Sequence, residues 1–523
     1  MLRIALLVLT ALFAACGRMN PPPRVASAPP RLLVVGWDGA SFRAIDPLLA
    51  EGKLPHLAAL LARGSRAPLE STRIPISSAA WTTATTGKGP GEHGVFAFQA
   101  PRAHEYELEL VSARSIRAAP LWRLLSGRGI PSLVFGVPLT YPPEPILGTM
   151  VCGMLAPSGA EYTWPREFAS SLRARGYLPD LDPWLEEREP TLEEALHQLD
   201  VREAVLDELL GRDDWRLAWI VFKELDVLSH FSYGAELTAS VRPLYERLDR
   251  LLGALVARVG DDTNVILLSD HGFTSYARGF NLHAWLVAEG FATRNALDSA
   301  PLPEGPFARR FAEEAAQRLA ELDLARSAAF AFACEGNFGS VRLNLAGREP
   351  RGIVTPEAID NVLARLEARL RAHPSVREVW RASTLLPGTE RQALPDLVFE
   401  ALPEVQVFAE RGSELEGRYE PLVADHELLG IFVAAGPALA SGAKLDGLTL
   451  LDVAPLALHL FGQPVPNEMR GRVPVELLRA AHEITRVPEA SFGTLTRVDS
   501  GSPYTEAEIR ALEQNLRALG YGD

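Results

Sequence analysis

Three stretches of the chain share one plan, an apolar and β-rich run that stops at an aspartate. Leu32-Leu33-Val34-Val35 leads through Gly36-Trp37 to Asp38, residues 217–222 lead to Asp226, and residues 264–268 lead to Asp270. Near-continuous apolar runs of this kind read as strands buried on both faces, the pattern of parallel sheets covered by helices. Residues 192–210 and 241–259, which lie before and between them, carry the apolar spacing of amphipathic helices. Strand–helix–strand alternation gives right-handed crossovers and points the C-terminal ends of the strands at one edge of the sheet. That edge is where open α/β sheets hold ligands. One aspartate there is usually a turn former or a helix cap. Three of them, with His230 four residues after Asp226 and His271 directly after Asp270, ask for another explanation.

The flanking pattern supports the same class. Residues 55–63 closed by Gly64, 82–86 and 120–125 read as helices, and 132–137 as a strand. From 273 to 423 the pattern loosens into amphipathic helices at 307–322 and 356–371 and short strands at 340–345 and 376–380. This predicts an inserted α+β subdomain or lid, of the kind that often sets substrate choice. The core resumes at Ala424-Asp425-His426, followed by a strand at 431–434 and a helix at 450–461. The expected plan is therefore a catalytic core over 31–272, the insertion over 273–423, completion of the core over 424–485, and a C-terminal linker and helix over 486–523. Thr505 and Glu508 form the capping-box pattern of that last helix.

The net charge of −14 supplies no basic footprint for a long nucleic acid. It leaves small phosphorylated substrates open, because bound divalent cations reverse a local field. Residues 1–16 read as a processing signal: Arg3, an apolar run over 4–13 too short to span a bilayer, then Ala14-Ala15-Cys16. The last triplet resembles a bacterial lipobox, although Phe13 stands where leucine is usual. It implies an exported lipoprotein anchored to a membrane through Cys16, periplasmic or on the cell surface. Gly17 rather than Asp favours an outer membrane by analogy, and an ordinary signal peptide cleaved at the alanine pair is the other reading. The Pro- and Ala-rich residues 17–30 read as a tether. Cys152 and Cys334 are either a disulfide or two separate thiols.

Residues 74–94, Ile-Pro-Ile-Ser-Ser-Ala-Ala-Trp-Thr-Thr-Ala-Thr-Thr-Gly-Lys-Gly-Pro-Gly-Glu-His-Gly, add a nucleophile to weigh. A serine at a loop-to-helix junction lies beside unpaired backbone N–H groups that favour an anion, yet serine is also a common helix cap. Two divalent ions roughly 4 Å apart can clamp the attacking and leaving oxygens at phosphorus. Mixed His and Asp ligands suit zinc in hydrolytic sites. Asp38, Asp226, His230, Asp270, His271 and His426, with a serine hydroxyl, make up such an inventory.

These residues resemble the alkaline phosphatase superfamily, in particular its type I phosphodiesterase/nucleotide pyrophosphatase branch and the bacterial predicted phosphohydrolase/phosphomutase group. The likeness spans about residues 31 to 475. Its motifs are Gly36-Trp37-Asp38-Gly39, Pro75-x-Ser77-x-x-Ala80-Trp81, Thr86-Gly87-Lys88-x-Pro90-x-x-His93-Gly94, Asp226-x3-His230, Ser269-Asp270-His271-Gly272 and His426. Asp452-x-Ala454-Pro455, Pro464-x-Pro466 and Gly471-Arg472 complete it. The resemblance implies a three-layer α/β/α sandwich around a mostly parallel sheet. It implies two divalent metal ions, zinc by donor type: one held by Asp38, Asp270, His271 and the Ser77 oxygen, the other by Asp226, His230 and His426. Ser77, ten residues before Gly87, takes the nucleophile's place, and hydrolysis proceeds through a phospho-seryl intermediate. The implied activity is cleavage of phosphodiesters or pyrophosphates. A phosphomonoesterase or phosphoryl transferase on the same core is the alternative, and a non-catalytic surface lipoprotein is a third reading.

Two departures bear on the substrate. Phe98 stands where the nucleotide pyrophosphatases carry an asparagine that contacts phosphate, and no arginine is assignable as a phosphate clamp. The sulfatase pattern x-Pro-x-Arg does not follow Ser77. Among the remaining candidates, His93 reads as a loop residue, His283 and His459 as packing or surface residues, and Trp81 as core. Tyr141 and Trp122 line a pocket or pack.

Overall fold

The computed structural model describes residues 30–180, 190–231, 237–295, 319, 322–409, 415–480, 483–493 and 501–519. Cys16, the leader and the tether up to residue 29 lie outside them, as does most of the helix expected at 307–322. A mixed eight-stranded sheet organises the chain. Its strands are β1 (Arg31–Trp37), β2 (Ser65–Glu70), β3 (Ser132–Phe135), β4 (Gly148–Val151), β5 (Thr163–Trp164), β6 (Leu217–Phe222), β7 (Thr263–Leu268) and β8 (Leu429–Ala435), in the order β2-β8-β7-β1-β6-β3-β4-β5. The run β7-β1-β6-β3-β4 is parallel, β8 is antiparallel to its neighbours β7 and β2, and β5 is antiparallel to β4. Every residue of β6 and β7 is buried, and so is β1 beyond Arg31. That is the burial expected of strands sandwiched between helices in an α/β/α arrangement.

The amphipathic patterns at 192–210 and 241–259 emerge as Leu192–Gly211 and Leu237–Val259, which pack against each other, the second also against β1. Thr191 caps the first, and Glu194 completes a capping box. Because β1 lies between β6 and β7 in register, their ends arrive together: Val34 stands opposite Trp219 on one side and Ile266 on the other.

Between β7 and β8 the chain builds two smaller sheets. Gly272–Asn281 lies between Val405–Phe408 and Glu416–Glu427, and Ala329–Glu335, Phe338–Leu343, Leu397–Ala401 and Val376–Arg381 form a four-stranded sheet. Helix Ile359–Arg371 joins them over a second core that includes Phe280, Trp285, Leu366 and Phe399. Positions 273 and 423 fall inside the antiparallel pair Gly272–Asn281 and Glu416–Glu427, in which Phe273 faces His426. That pairing carries His426 back to the end of β7, more than a hundred residues away along the chain.

Candidate metal centre

Each predicted ligand reaches the sheet edge by its own local route. Asp38 directly follows β1, and its N–H donates to Phe222 O at 3.0 Å, which locks it beside the end of β6. Asp226 and His230 sit on a short helix, α1 (Glu224–His230), that starts one residue after β6. The four-residue spacing places both on one face of that helix. Asp270 and His271 follow β7 after a single residue, Ser269. Ser77 opens a second helix, α2 (Ser77–Thr86), whose ten residues are all buried and which ends at Gly87 in the left-handed region, φ 63°. The sequence pattern started this helix at Thr82. The actual start places the Ser77 hydroxyl at its N-terminus, beside N–H groups with no partner inside the helix.

The side chains converge closely. Ser77 Oγ lies 3.1 Å from His271 Nε2. The same Nε2 is 3.4 Å from Asp38 Oδ1 and 3.3 Å from Asp270 Oδ2. Asp226 Oδ1 is 3.1 Å from His426 Nε2 and 3.5 Å from His230 Nε2, and the two imidazole nitrogens are 3.1 Å apart. The His271 and His426 rings stack with centroids 3.6 Å apart, which ties the two halves of the cluster together. All seven residues are at most 1 % exposed.

The tautomers follow from the outward bonds. His271 Nδ1 donates to Gly272 O at 3.1 Å and His426 Nδ1 donates to Pro75 O at 2.7 Å. Each ring therefore turns Nε2 inward, the orientation metal-ligating histidines adopt. Asp38 Oδ1 and both oxygens of Asp270 are buried and have no hydrogen-bond donor among the described residues. Lone pairs facing lone pairs at these separations repel unless a cation lies between them. The donor set fits divalent metals on that ground, and three groups of side chains have the reach to hold one: Asp38 with Asp270 and His271, Asp226 with His271 and His426, and His230 with Asp425 and His426.

The electrostatics carry the same signature. Burial, then the neighbouring Asp226, pushes the Asp38 carboxyl up to about 7. Burial and Asp38 push Asp270 well above the carboxylate range. Burial also raises Asp226, but His230 and His426 outweigh it and hold that carboxyl well below its ordinary value. Burial, then His426, holds His271 well below its ordinary value.

Asp425 was not among the predicted ligands. Its Oδ1 accepts the His426 N–H at 2.7 Å, and its other oxygen accepts from Gln406. Its adjacency to His426 was the available signal. Trp81, read as core, is buried but also donates from Nε1 to Asp38 Oδ2 at 2.9 Å. The other candidates have structural partners. His93 accepts from Val95 N at 3.2 Å and meets Thr83 Oγ1 at 3.0 Å, and burial brings it down to about 3. Tyr141 stacks on Tyr504, and Trp122 donates to Glu144. Phe98 is buried in the main core. His283 and His459 join none of the three ligand groups, and Cys152 and Cys334 form no disulfide.

Sequence comparison with curated proteins gives no significant match. Among solved structures, phosphonoacetate hydrolase from Sinorhizobium meliloti with phosphonoacetate bound superposes with a TM-score of 0.56 at 16 % identity, over 86 % of this chain and 97 % of that one. Murine ectonucleotide pyrophosphatase/phosphodiesterase 5 gives 0.53 at 15 % identity, over 86 % of this chain and 100 % of that one. An inactive form of the murine protein in complex with AMP aligns equally well, with a TM-score of 0.53 at 15 % identity over the same shares of both chains. At these identities the likeness concerns the fold. A model of the type I phosphodiesterase/nucleotide pyrophosphatase family matches residues 32–427, most of the described chain. The chain thus belongs to the type I phosphodiesterase/nucleotide pyrophosphatase family of the alkaline phosphatase superfamily, hydrolases that act on phosphate esters.

Proposed function

We propose that this chain is a two-metal phosphohydrolase that cleaves phosphodiester or pyrophosphate bonds with Ser77 as nucleophile. The observation that carries this is the position of Ser77 Oγ, at the N-terminus of a buried helix and 3.1 Å from His271 Nε2 within the acidic cluster. Asp38, Asp270, His271 and Ser77 would hold one divalent ion, and Asp226, His230 and His426 the other. The mixture of imidazole and carboxylate donors favours zinc. Bound there, such ions polarise phosphoryl oxygens, ease loss of the hydroxyl proton and offset the charge of the carboxylates.

The chain's own groups do the rest. Ser77 gives up its hydroxyl proton to solvent as Oγ attacks phosphorus in line, the bond to the leaving oxygen breaks with its electron pair, that oxygen takes up a proton from solvent, and the phosphoryl group stays on the serine. The first-turn N–H groups of α2 point at the non-bridging oxygens. His271 and His426, each fixed by a backbone carbonyl, keep their inner nitrogens directed at the site. Water then displaces the serine oxygen from phosphorus and restores the hydroxyl. The family's pyrophosphatase members and the AMP complex of the murine relative support a nucleotide-like diester or pyrophosphate. Phe98, apolar where those enzymes have asparagine, supports keeping monoester hydrolysis or phosphoryl transfer as the second reading. We read residues 273–423 as the unit that sets this choice.

Purified protein reconstituted with zinc should hydrolyse bis-(p-nitrophenyl) phosphate faster than p-nitrophenyl phosphate. A preference for the monoester would overturn the diesterase reading. For location, we infer export and anchoring through a lipid on Cys16. Cys16→Ser should move the protein from the membrane fraction to the soluble one, and an unchanged distribution would count against the anchor.

A further inference from the structure

Trp81 stands one helical turn after Ser77 on α2 and reaches across to Asp38, so one buried side chain joins the proposed nucleophile's helix to the end of β1. Its indole N–H donates to Asp38 Oδ2 at 2.9 Å, and the ring is 0 % exposed. The strand is shaped to receive it: a Cβ at Gly36 would stand 2.4 Å from the Trp81 ring. Glycine at this position therefore leaves the room that the indole fills, two residues before the aspartate it binds. A carboxylate with one oxygen held this way has a fixed rotamer and a single remaining oxygen, Oδ1. That is the atom facing His271 Nε2, at 3.4 Å.

We propose that Trp81 is a positioning residue for the metal held by Asp38, Asp270 and His271, commits Asp38 to ligation through Oδ1 alone, and keeps that ligand in step with Ser77. The inference rests on the two-metal reading above. Phenylalanine keeps an apolar ring on the helix but has no N–H, and its shorter side chain leaves part of the Gly36 niche, which the far edge of the indole fills, empty. It would leave Oδ2 without its buried donor and the carboxylate free to rotate. Loss of an outer hydrogen bond to a metal ligand typically weakens the metal about 10–100-fold.

The test is zinc titration of the chelated protein by calorimetry, for wild type, Trp81→Phe, Asp38→Asn and the double variant, with thermal melts of the metal-free forms as the folding control. Wild type should bind two zinc ions. Trp81→Phe should bind two, one of them about 10–100-fold more weakly and the other unchanged. In the Asp38→Asn background the tryptophan substitution should add about twofold or less, because its route to the metal is gone. A role confined to packing predicts the same loss in both backgrounds and would overturn the proposal. So would two wild-type affinities in Trp81→Phe while Asp38→Asn weakens one site, an outcome that leaves the two-metal reading standing. If wild type fails to bind two ions, or Asp38→Asn changes neither, the underlying reading falls and this inference falls with it. Should Trp81→Phe not fold, the benzothiophene analogue of tryptophan at position 81 keeps the shape, exchanges N–H for sulfur and is held to the same outcomes.

Discussion

Ser77 and Ser78 are adjacent, chemically identical and both buried, yet their surroundings divide them. Ser77 Oγ has His271 Nε2 at 3.1 Å, whereas Ser78 Oγ is buried without a hydrogen-bond partner among the described residues. Ser77→Ala should lower kcat at least about a thousandfold, as removal of a covalent nucleophile does in other hydrolases. Ser78→Ala should leave kcat within a fewfold of wild type and the melting temperature unchanged or higher, since it removes a buried hydroxyl that makes no bond. Steady-state kinetics and thermal melts on the two variants decide the matter, and equal losses would sink the assignment. His93 is the reverse case, a motif residue whose bonds are all structural. His93→Ala should cost about 1–3 kcal/mol of stability by stranding the Val95 N–H, with kcat little changed, readable from denaturant melts beside the same assay. The sequence could name Ser77 through the spacing to Gly87. It could not reveal the Trp81–Asp38 bond, because helix register across the gap to β1 exists only once both elements are packed.

At the scale of elements, α1 depends on charges buried behind it. Glu224, two residues before Asp226, is ion-paired with Arg202 of Leu192–Gly211, and both side chains are at most 2 % exposed. Arg202 also donates to Tyr177 OH at 2.9 Å and to Leu178 O at 3.1 Å. The contact therefore fixes α1 against the neighbouring helix and the 177–178 loop. Removing one partner of a buried pair leaves an uncompensated charge, so Arg202→Met should destabilise the protein by about 3–5 kcal/mol. The double variant Arg202→Met, Glu224→Leu should recover most of that loss, and urea melts of the three proteins would show whether it does. The elements that carry the site were the most legible in the sequence. The 217–222 run is β6 as expected, 264–268 is β7 less one residue, and 192–210 is its helix within one residue. The strand Gly272–Asn281 went unread for a physical reason. Its buried positions do not alternate, its register shifts between Tyr276 and Arg278, and its partner Glu416–Glu427 is distant in sequence. The short strands β4 and β5 at one end of the sheet likewise owe their pairing to neighbours rather than to their own four and two residues.

For the molecule as a whole, the site is a source of instability until cations occupy it. Asp38, Asp226 and Asp270 are buried within one cluster of a chain whose net charge is −14. Burial and mutual repulsion raise two of those carboxyls, and against its own burial the third is held down by His230 and His426. Folding of the metal-free chain must oppose that repulsion, whereas ligand that binds only the native state adds stability by mass action. At a hundredfold excess over its dissociation constant each ion contributes about 2.7 kcal/mol. Chelation should therefore lower the melting temperature and abolish hydrolysis, and added zinc should restore both. The sharper prediction separates charge from structure. Asp270→Asn keeps the shape but cannot ionise, so it removes the cost of holding that carboxyl well above its ordinary range, a cost present at any pH above the unfolded value, and at neutral pH the metal-free variant should melt above metal-free wild type. With zinc the order should reverse, because the variant has lost a ligand. Calorimetric melts of both proteins, with chelator and with zinc, give the four temperatures required. If metal-free Asp270→Asn melted at or below metal-free wild type, the cluster would not be strained by its charges, and the case for cations drawn from that strain would fail.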